Sequence, residues 1–234
     1  RTFGRRLGLE AAVAAALAAE IEAQALAEAG VDRAAYLAAL GVSRPDAPAR
    51  RAAAAQAMGS LWRASRVDNR FHVPYVAGYA REEASYVYID CAIPLQARLA
   101  GAPVPVGALL TLHERVEKAI LADYATTYPS AHQVALRLEM LAAEGAGVAW
   151  KPYDDLIGRM STAINARRAV AISDRLDLQP YYTFTDGPNL KLVAAMRRGM
   201  ARQPALDAGF GADLDPRPTC AGNGRPQGSS TVSQ

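Results

Sequence analysis

The sequence has few cysteines, little net charge and no long apolar run, and these shortages exclude several large classes of protein. Of its 234 residues only Cys91 and Cys220 are cysteine, too few for a disulfide framework or a cysteine-based zinc cluster. The 26 Lys and Arg nearly balance the 23 Asp and Glu, and they are scattered, so we expect no nucleic-acid partner. Glutamates interrupt the most apolar stretch, and no run approaches the ~18 residues of a membrane span.

Two catalytic signatures are also missing, the glycine-rich phosphate loop and the serine nucleophile elbow. Glu10 falls where the apolar core of a signal peptide would be uninterrupted, so we expect no signal peptide. Together with the low cysteine content, this favours a reducing, cytoplasmic location. The function must therefore be inferred from small groups of polar residues and their spacing.

The first 66 residues form an alanine-rich segment with few large side chains. Alanine content, Gly30 and a proline-containing linker predict three helices, over residues 10–29, 31–40 and 49–66. With so few large apolar groups, we expect the segment to pack on the rest of the chain or on a protein partner. The helix over 10–29 is the candidate partner surface.

Residues 67–202 are predicted to form an α+β, mainly helical domain. Aromatic and β-branched residues predict a small antiparallel β-hairpin, 70–79 paired with 84–90, followed by a proline-containing loop. Four helices follow, over residues 107–124, 131–144, 152–168 and 186–202. Ser130 is the candidate N-cap of the second of these helices. Residues 203–234 are rich in Pro, Gly and Ser, which predicts a disordered tail.

The helix over 107–124 has two polar groups on its apolar side. At about 100° per residue, His113 and Glu117 fall inside the apolar arc, with Glu114 at its border. Arg115 and Lys118 fall on the opposite side. A carboxylate removed from water costs several kcal/mol unless it is paired, protonated or bound to a cation. The pattern therefore requires a partner for Glu117.

The next helix repeats this pattern, with His132 and Glu139 on its apolar side. If the short turn makes the two helices antiparallel, the rise of about 1.5 Å per residue sets Glu139 level with His113 and Glu117. His132 then lies about 10 Å further along the axis. Glu139 is therefore the better third ligand for a cation.

The segment from Thr111 to Glu117 resembles the active helix of zincin metallopeptidases, whose pattern is H-E-x-x-H. In the gluzincin branch a further Glu on the following helix completes the site, and Glu139 is similar in spacing. The departure is Glu117, which stands where the family has its second His. The segment also resembles an H-E-x-V-E-K helix in small uncharacterised proteins of alphaproteobacteria and their prophages.

The resemblance implies a zincin-like helical core and a metal-dependent hydrolase, most simply a peptidase acting on a peptide or protein. His113, Glu117 and Glu139 would hold a divalent metal, zinc first, with iron or manganese as alternatives for an oxygen-rich site. His132 would replace one carboxylate or orient a ligand. Glu114 would be the general base that takes a proton from the attacking water.

A second hypothesis needs no metal. His113 with Glu117, and Glu114 with Lys118, are also ordinary helix pairs four residues apart. The chain would then be a non-catalytic structural or interaction protein of prophage type, with a buried His/Glu network. If the chain is an enzyme, we expect an open cleft with Glu114 facing into it. If it is an interaction protein, we expect a closed helix pair and an exposed apolar stripe on residues 10–29.

Overall fold

The computed structural model describes residues 7–43, 46–124, 126–166 and 171–182. The predicted helix over 186–202, the predicted tail over 203–234 and Cys220 lie outside these ranges. Within them, no helix combines the length and apolar character needed to cross a membrane.

The described chain is mainly helical with two small sheets, which confirms the predicted α+β class. The helices are α1 (Ala11–Glu28), α2 (Arg33–Leu40), α3 (Ala47–Ala64), α4 (Val106–Asp123), α5 (Tyr128–Gly145), α6 (Trp150–Ala166) and α7 (Gln179–Tyr182). The strands are β1 (Arg66–Asp68), β2 (Ala77–Tyr79), β3 (Tyr86–Ile89), β4 (Ala97–Leu99) and β5 (Ala102–Val104).

Helix α5 begins three residues earlier than the sequence predicted. Its N-cap is Thr127, whose side chain accepts a hydrogen bond from the Ser130 backbone N–H at 3.4 Å. Ser130 therefore lies inside the first turn and is not the cap. Pro129 is compatible with this start, because its fixed φ and missing N–H suit the first turn of a helix.

The larger sheet has the strand order β1-β3-β2. Strands β2 and β3 are antiparallel, with Gly78 opposite Tyr88, so they form the centre of the predicted hairpin. Strand β1 adds a parallel pairing that the sequence did not indicate. The antiparallel pair β4–β5 lies where only a loop was predicted, with Pro103 opposite Arg98 in a sheet of two strands. Proline is tolerated there because both strands are edges.

All four residues of β3 are buried, because both faces of the sheet are covered. Val87 and Ile89 join the main hydrophobic cluster with the helices. Tyr86 and Tyr88 join a second cluster that includes Leu176. The segment over 171–178 thus covers the second face of the sheet. No pattern in the sequence indicated this contact.

Helix α4 lies at the centre of the molecule, packed against α3, α5, β2 and β3. It is therefore buried on nearly all sides from Val106 to Glu117. Arg115 is only 7% exposed, so its predicted place on a solvent-facing side is wrong. Lys118 is partly buried and pairs with Asp177 at 2.6 Å. Periodicity identified the apolar side, but the number of neighbours around the helix decided the burial of its polar side.

Helix α1 packs against α3 and α5. Val13 and Leu17 are buried in the same cluster as residues of α4 and α5. Ile21 and Leu26 are partly buried. The apolar stripe on this helix is therefore largely used inside the molecule.

Candidate metal centre

Three side chains from α4 and α5 bring one ligand atom each to a common point. The Nε2 atom of His113 lies 3.0 Å from Nδ1 of His132. That Nδ1 atom lies 3.1 Å from Oε2 of Glu117. The third separation, from His113 Nε2 to Glu117 Oε2, is 3.6 Å. These atoms form a compact triangle of two nitrogens and one oxygen.

The triangle has dimensions that suit a small divalent cation. Tetrahedral zinc, with ligands at about 2.0–2.1 Å, separates its ligand atoms by about 3.3–3.4 Å. The observed separations of 3.0, 3.1 and 3.6 Å lie on both sides of this value. All three atoms offer lone pairs when the histidines are neutral and the carboxyl is ionised. A shared proton or a cation is needed to hold them together, so the residues fit a metal ion.

Glu139 lies on the other edge of the His113 ring. Its Oε2 atom accepts a hydrogen bond from Nδ1 of His113 at 2.8 Å, and its Oε1 atom accepts one from the Tyr153 hydroxyl at 2.6 Å. This contact directs Nε2 of His113 toward Glu117 and His132. A carboxylate on the far nitrogen of a ligating histidine is a common feature of metal sites.

The structure thus brings all four predicted ligand candidates together, but in different positions from those the axial rise predicted. His132 was expected about 10 Å from the level of His113, yet their side chains are in contact. The reason is the reach of the side chains: the His113 ring meets Glu139 with one nitrogen and His132 with the other. The axial rise gives the positions of the backbones along the two helices, and it does not include the length of the side chains that extend between them.

The charges in the cluster stabilise one another. Burial alone would lower the pKa of His113, but the neighbouring carboxylates of Glu117 and Glu139 raise it well above its usual value. Burial would raise the pKa of Glu117, but the nearby His113 and a hydrogen bond from His132 lower it. The protonated imidazole and the carboxylate therefore satisfy each other. A cation at Nε2 would take the place of a proton.

Glu114 lines the same cavity and is only 8% exposed. Its carboxyl group has no hydrogen-bond partner among the residues that the structure describes. Burial and the nearby Glu117 raise the pKa of Glu114 to about 8. Its carboxyl group is therefore open to a molecule that enters the cavity.

The cavity has a volume of about 380 Å³ and lies between the sheet and helices α4, α5 and α6. Its apolar wall includes Leu110, Leu136 and Ile157. Asp154 and Asp177 add acidic groups, while no Lys or Arg is found among the lining residues in the described ranges. The space is large enough for a side chain or a short peptide segment.

Sequence reasoning missed two aromatic residues of the site. Tyr153 donates to Glu139 from α6, and no spacing in the sequence indicated this contact. Tyr128 stacks on the His132 ring, with centroids 5.7 Å apart and planes at 26°. Their separation of four residues would have indicated this pair only with the helix starting at Tyr128, and the predicted start at residue 131 left Tyr128 outside it.

Comparison of the chain with protein-family models, with curated proteins and with solved structures gave no match. The likeness to zincins therefore depends on the residues of α4 and α5 themselves.

Proposed function

We propose that the protein is a metal-dependent hydrolase, and specifically a peptidase, in which His113, Glu117 and His132 hold a divalent ion. The observation that carries this proposal is the convergence of three ligand atoms beside a cavity that buried Glu114 also lines. Two histidines and one glutamate are a usual ligand set of catalytic zinc, which keeps a fourth position open. Zinc is therefore the first candidate, with iron and manganese as alternatives.

This ligand set differs from the one that the zincin resemblance implied. His132 takes the position expected of Glu139, so the ion would meet one carboxylate instead of two. A divalent ion held there would polarise a carbonyl group and acidify a water molecule. With fewer negative ligands the ion keeps more of its positive charge, which strengthens both effects. Glu139 accepts a hydrogen bond from Nδ1 of His113 and so fixes the orientation of the ring.

Glu114 is the residue we assign as general base. It precedes Glu117 by one helical turn, lines the cavity and has no competing hydrogen bond within the described part of the chain. Its carboxylate can accept a proton from water attacking a carbonyl and return it to the leaving amine. Tyr153 and Glu139 lie on the other side of His113 and are not placed for this task.

The cavity walls favour uncharged or basic peptide segments as substrates. Asp154 adds negative charge to the lining beyond that of the cluster itself, while Asp177 is already paired with Lys118. An acidic substrate would bring like charges together, which is unfavourable in a partly enclosed site. A cytoplasmic location remains part of this proposal.

One observation favours the second hypothesis, a non-catalytic structural or interaction protein of prophage type. The cluster satisfies its own hydrogen bonds, with His113 on Glu139 and His132 on Glu117. Such a network can hold α4 against α5 with a proton in place of a metal. Metal binding and hydrolysis therefore need separate tests.

The first test is metal content, measured by elemental mass spectrometry on protein purified without an affinity metal. We expect about one ion per chain in the wild type and loss of the ion in His113→Ala and His132→Ala. His72→Ala is the matched control, because His72 is also buried but hydrogen-bonds to the backbone of Ala171, away from the cluster. Absence of metal in the wild type, even after reconstitution, would contradict the proposal.

The second test separates a hydrolase from a metal-binding structural protein. Glu114→Gln is expected to keep the metal and to lose about 10²–10⁴-fold in the rate of peptide hydrolysis, because the general base is removed. The measurement is cleavage of a peptide library followed by mass spectrometry. A metal-loaded wild type that cleaves nothing would favour the non-catalytic hypothesis.

A further inference from the structure

We infer that a small oxyanion, a phosphate or carboxylate group, binds in a second cavity on the far side of α4, where Arg115 is buried without an acidic partner. This inference is independent of the proposed function. Arg115 is about 200° around the helix from His113, so it lies on the opposite face from the metal cluster. The cavity has a volume of about 210 Å³.

Arg115 is a buried charged residue without an acidic partner in the described part of the chain, which is unusual in proteins. The residue is 7% exposed, and Nη1 donates a hydrogen bond to the Ser65 hydroxyl at 2.7 Å. Its Nε atom is buried without a hydrogen-bond partner. Within the described ranges, no carboxylate pairs with this guanidinium. Arginine stays charged in proteins, so the cost of its burial calls for an anion.

The walls of the cavity have a positive character. Arg81 also lines it and donates to the Asp174 carbonyl oxygen at 2.9 Å, again with no acidic partner in the described part of the chain. Lys118 is a third lining cation, although it already pairs with Asp177. Glu82 is the single acidic side chain among the described lining residues. The balance of charge therefore favours an anion.

The size and the donor geometry restrict the class of anion. At about 30 Å³ per water molecule, the cavity corresponds to roughly seven waters, enough for one oxyanion with some of its hydration. Because Nη1 donates to Ser65 and Nε is fully buried, Nη2 is the guanidinium nitrogen left to donate to an oxygen of a phosphate or carboxylate. Both anions share this chemistry, and the experiment distinguishes them.

The test is thermal unfolding of the full chain in a zwitterionic buffer, titrated with sodium phosphate or sodium acetate. Sodium chloride keeps the ionic strength constant, so general screening is the same in every sample. We expect one of the two anions to raise Tm by about 3–6 °C at ten times Kd, and the rise should grow with the logarithm of the anion concentration above Kd. Arg115→Met should lose this rise. Arg159→Met, at an exposed position on α6, is the matched control and should keep it.

A second measurement keeps the inference testable if one variant is poorly folded. Arg115→Lys keeps the charge but loses the planar guanidinium that reaches both Ser65 and the cavity, and calorimetric titration should show at least a tenfold weaker Kd for the anion. In buffer without either anion, Arg115→Met should be at least as stable as the wild type, because it removes a buried charge without a partner. Equal responses of the wild type and both Arg115 variants, or no response to either anion, would overturn the inference.

Discussion

At the scale of single residues, the orientation of the His113 ring is central to the candidate metal centre. Nδ1 donates to Glu139, and Nε2 faces His132 and Glu117. A neutral histidine has one nitrogen that donates and one that accepts. When the ring is neutral and Nδ1 donates to Glu139, the lone pair of Nε2 points to the triangle. An ion that replaces the proton on Nε2 can then bind without rotation of the ring.

This arrangement predicts that Glu139 acts through His113 and is not itself a ligand. Glu139→Gln is expected to weaken zinc binding about 10–100-fold while one ion still binds per chain. Competition with a chromogenic chelator measures the affinity. Glu144→Gln is the control, since this carboxylate of α5 pairs with Arg51 at the surface. Loss of stoichiometric binding in Glu139→Gln would instead make Glu139 a ligand, as the sequence spacing suggested.

A second residue-scale prediction concerns Asp68, which is 3% exposed. Burial alone would raise the pKa of Asp68, but hydrogen bonds from Arg70 and Tyr86 lower it below its ordinary value. A lowered folded pKa stabilises the protein above the unfolded pKa of about 3.9. This contribution is lost as the pH falls through the folded pKa.

Asp68→Asn should therefore lower the free energy of unfolding by about 1–3 kcal/mol at pH 7. The difference from the wild type should begin to shrink below about pH 4, where the unfolded carboxyl takes up a proton, and should be lost as the pH falls through the lower pKa of the native carboxyl. Urea unfolding at several pH values measures both quantities. A difference that stays constant from pH 7 to pH 3 would show that the charge of Asp68 is not involved.

At the scale of elements, α3 and α5 approach each other closely at Gly145. A Cβ atom built on Gly145 would lie 2.3 Å from the backbone oxygen of Arg51, a contact that neither backbone can relieve without moving. Gly158, in α6, has open space where its Cβ would be. The two glycines are both helical, but only the first is required by packing.

Alanine substitutions should therefore have opposite effects at these two positions. Gly145→Ala is expected to destabilise the protein by about 1–3 kcal/mol, because the helices must separate. Gly158→Ala is expected to stabilise it by about 0.5–1 kcal/mol, because alanine has the higher helix propensity. Urea unfolding of both variants checks the signs. A stabilising Gly145→Ala would mean that α3 and α5 are further apart than described.

At the scale of the whole molecule, the candidate metal centre depends on the packing of several elements. The three ligand atoms come from α4 and α5, Tyr153 comes from α6, and the sheet closes the cavity. Unfolding separates these groups, so an ion would bind the folded chain in preference to the unfolded one. Metal binding and global stability are linked by mass action.

Zinc should consequently raise the Tm of the wild type. At a free zinc concentration of 100 times Kd, the expected rise is about 5–10 °C, and excess chelator should reverse it. His132→Ala should show almost no zinc-dependent change, whatever its Tm without zinc. Differential scanning calorimetry of both proteins with and without zinc provides the measurement. An equal rise in both proteins would place zinc binding elsewhere in the chain.

The sequence by itself determined the features that depend on local chemistry. Alanine content and the punctuation by Gly and Pro placed the helices, because propensity and capping act over a few residues. The helical period placed His113 and Glu117 on the apolar side of α4, and both are buried, although the packing around α4 buries Arg115 on the opposite side as well. The alternation of aromatic and β-branched residues located the β2–β3 hairpin.

Only the tertiary structure decided which distant groups meet. Whether His132 or Glu139 faces Glu117 depends on side-chain reach across two packed helices. The burial of Arg115 depends on how many elements surround α4. The covering of the sheet by residues 171–178 joins parts of the chain far apart in sequence. Periodicity carries no such information, because it describes one element and not the neighbours that pack around it.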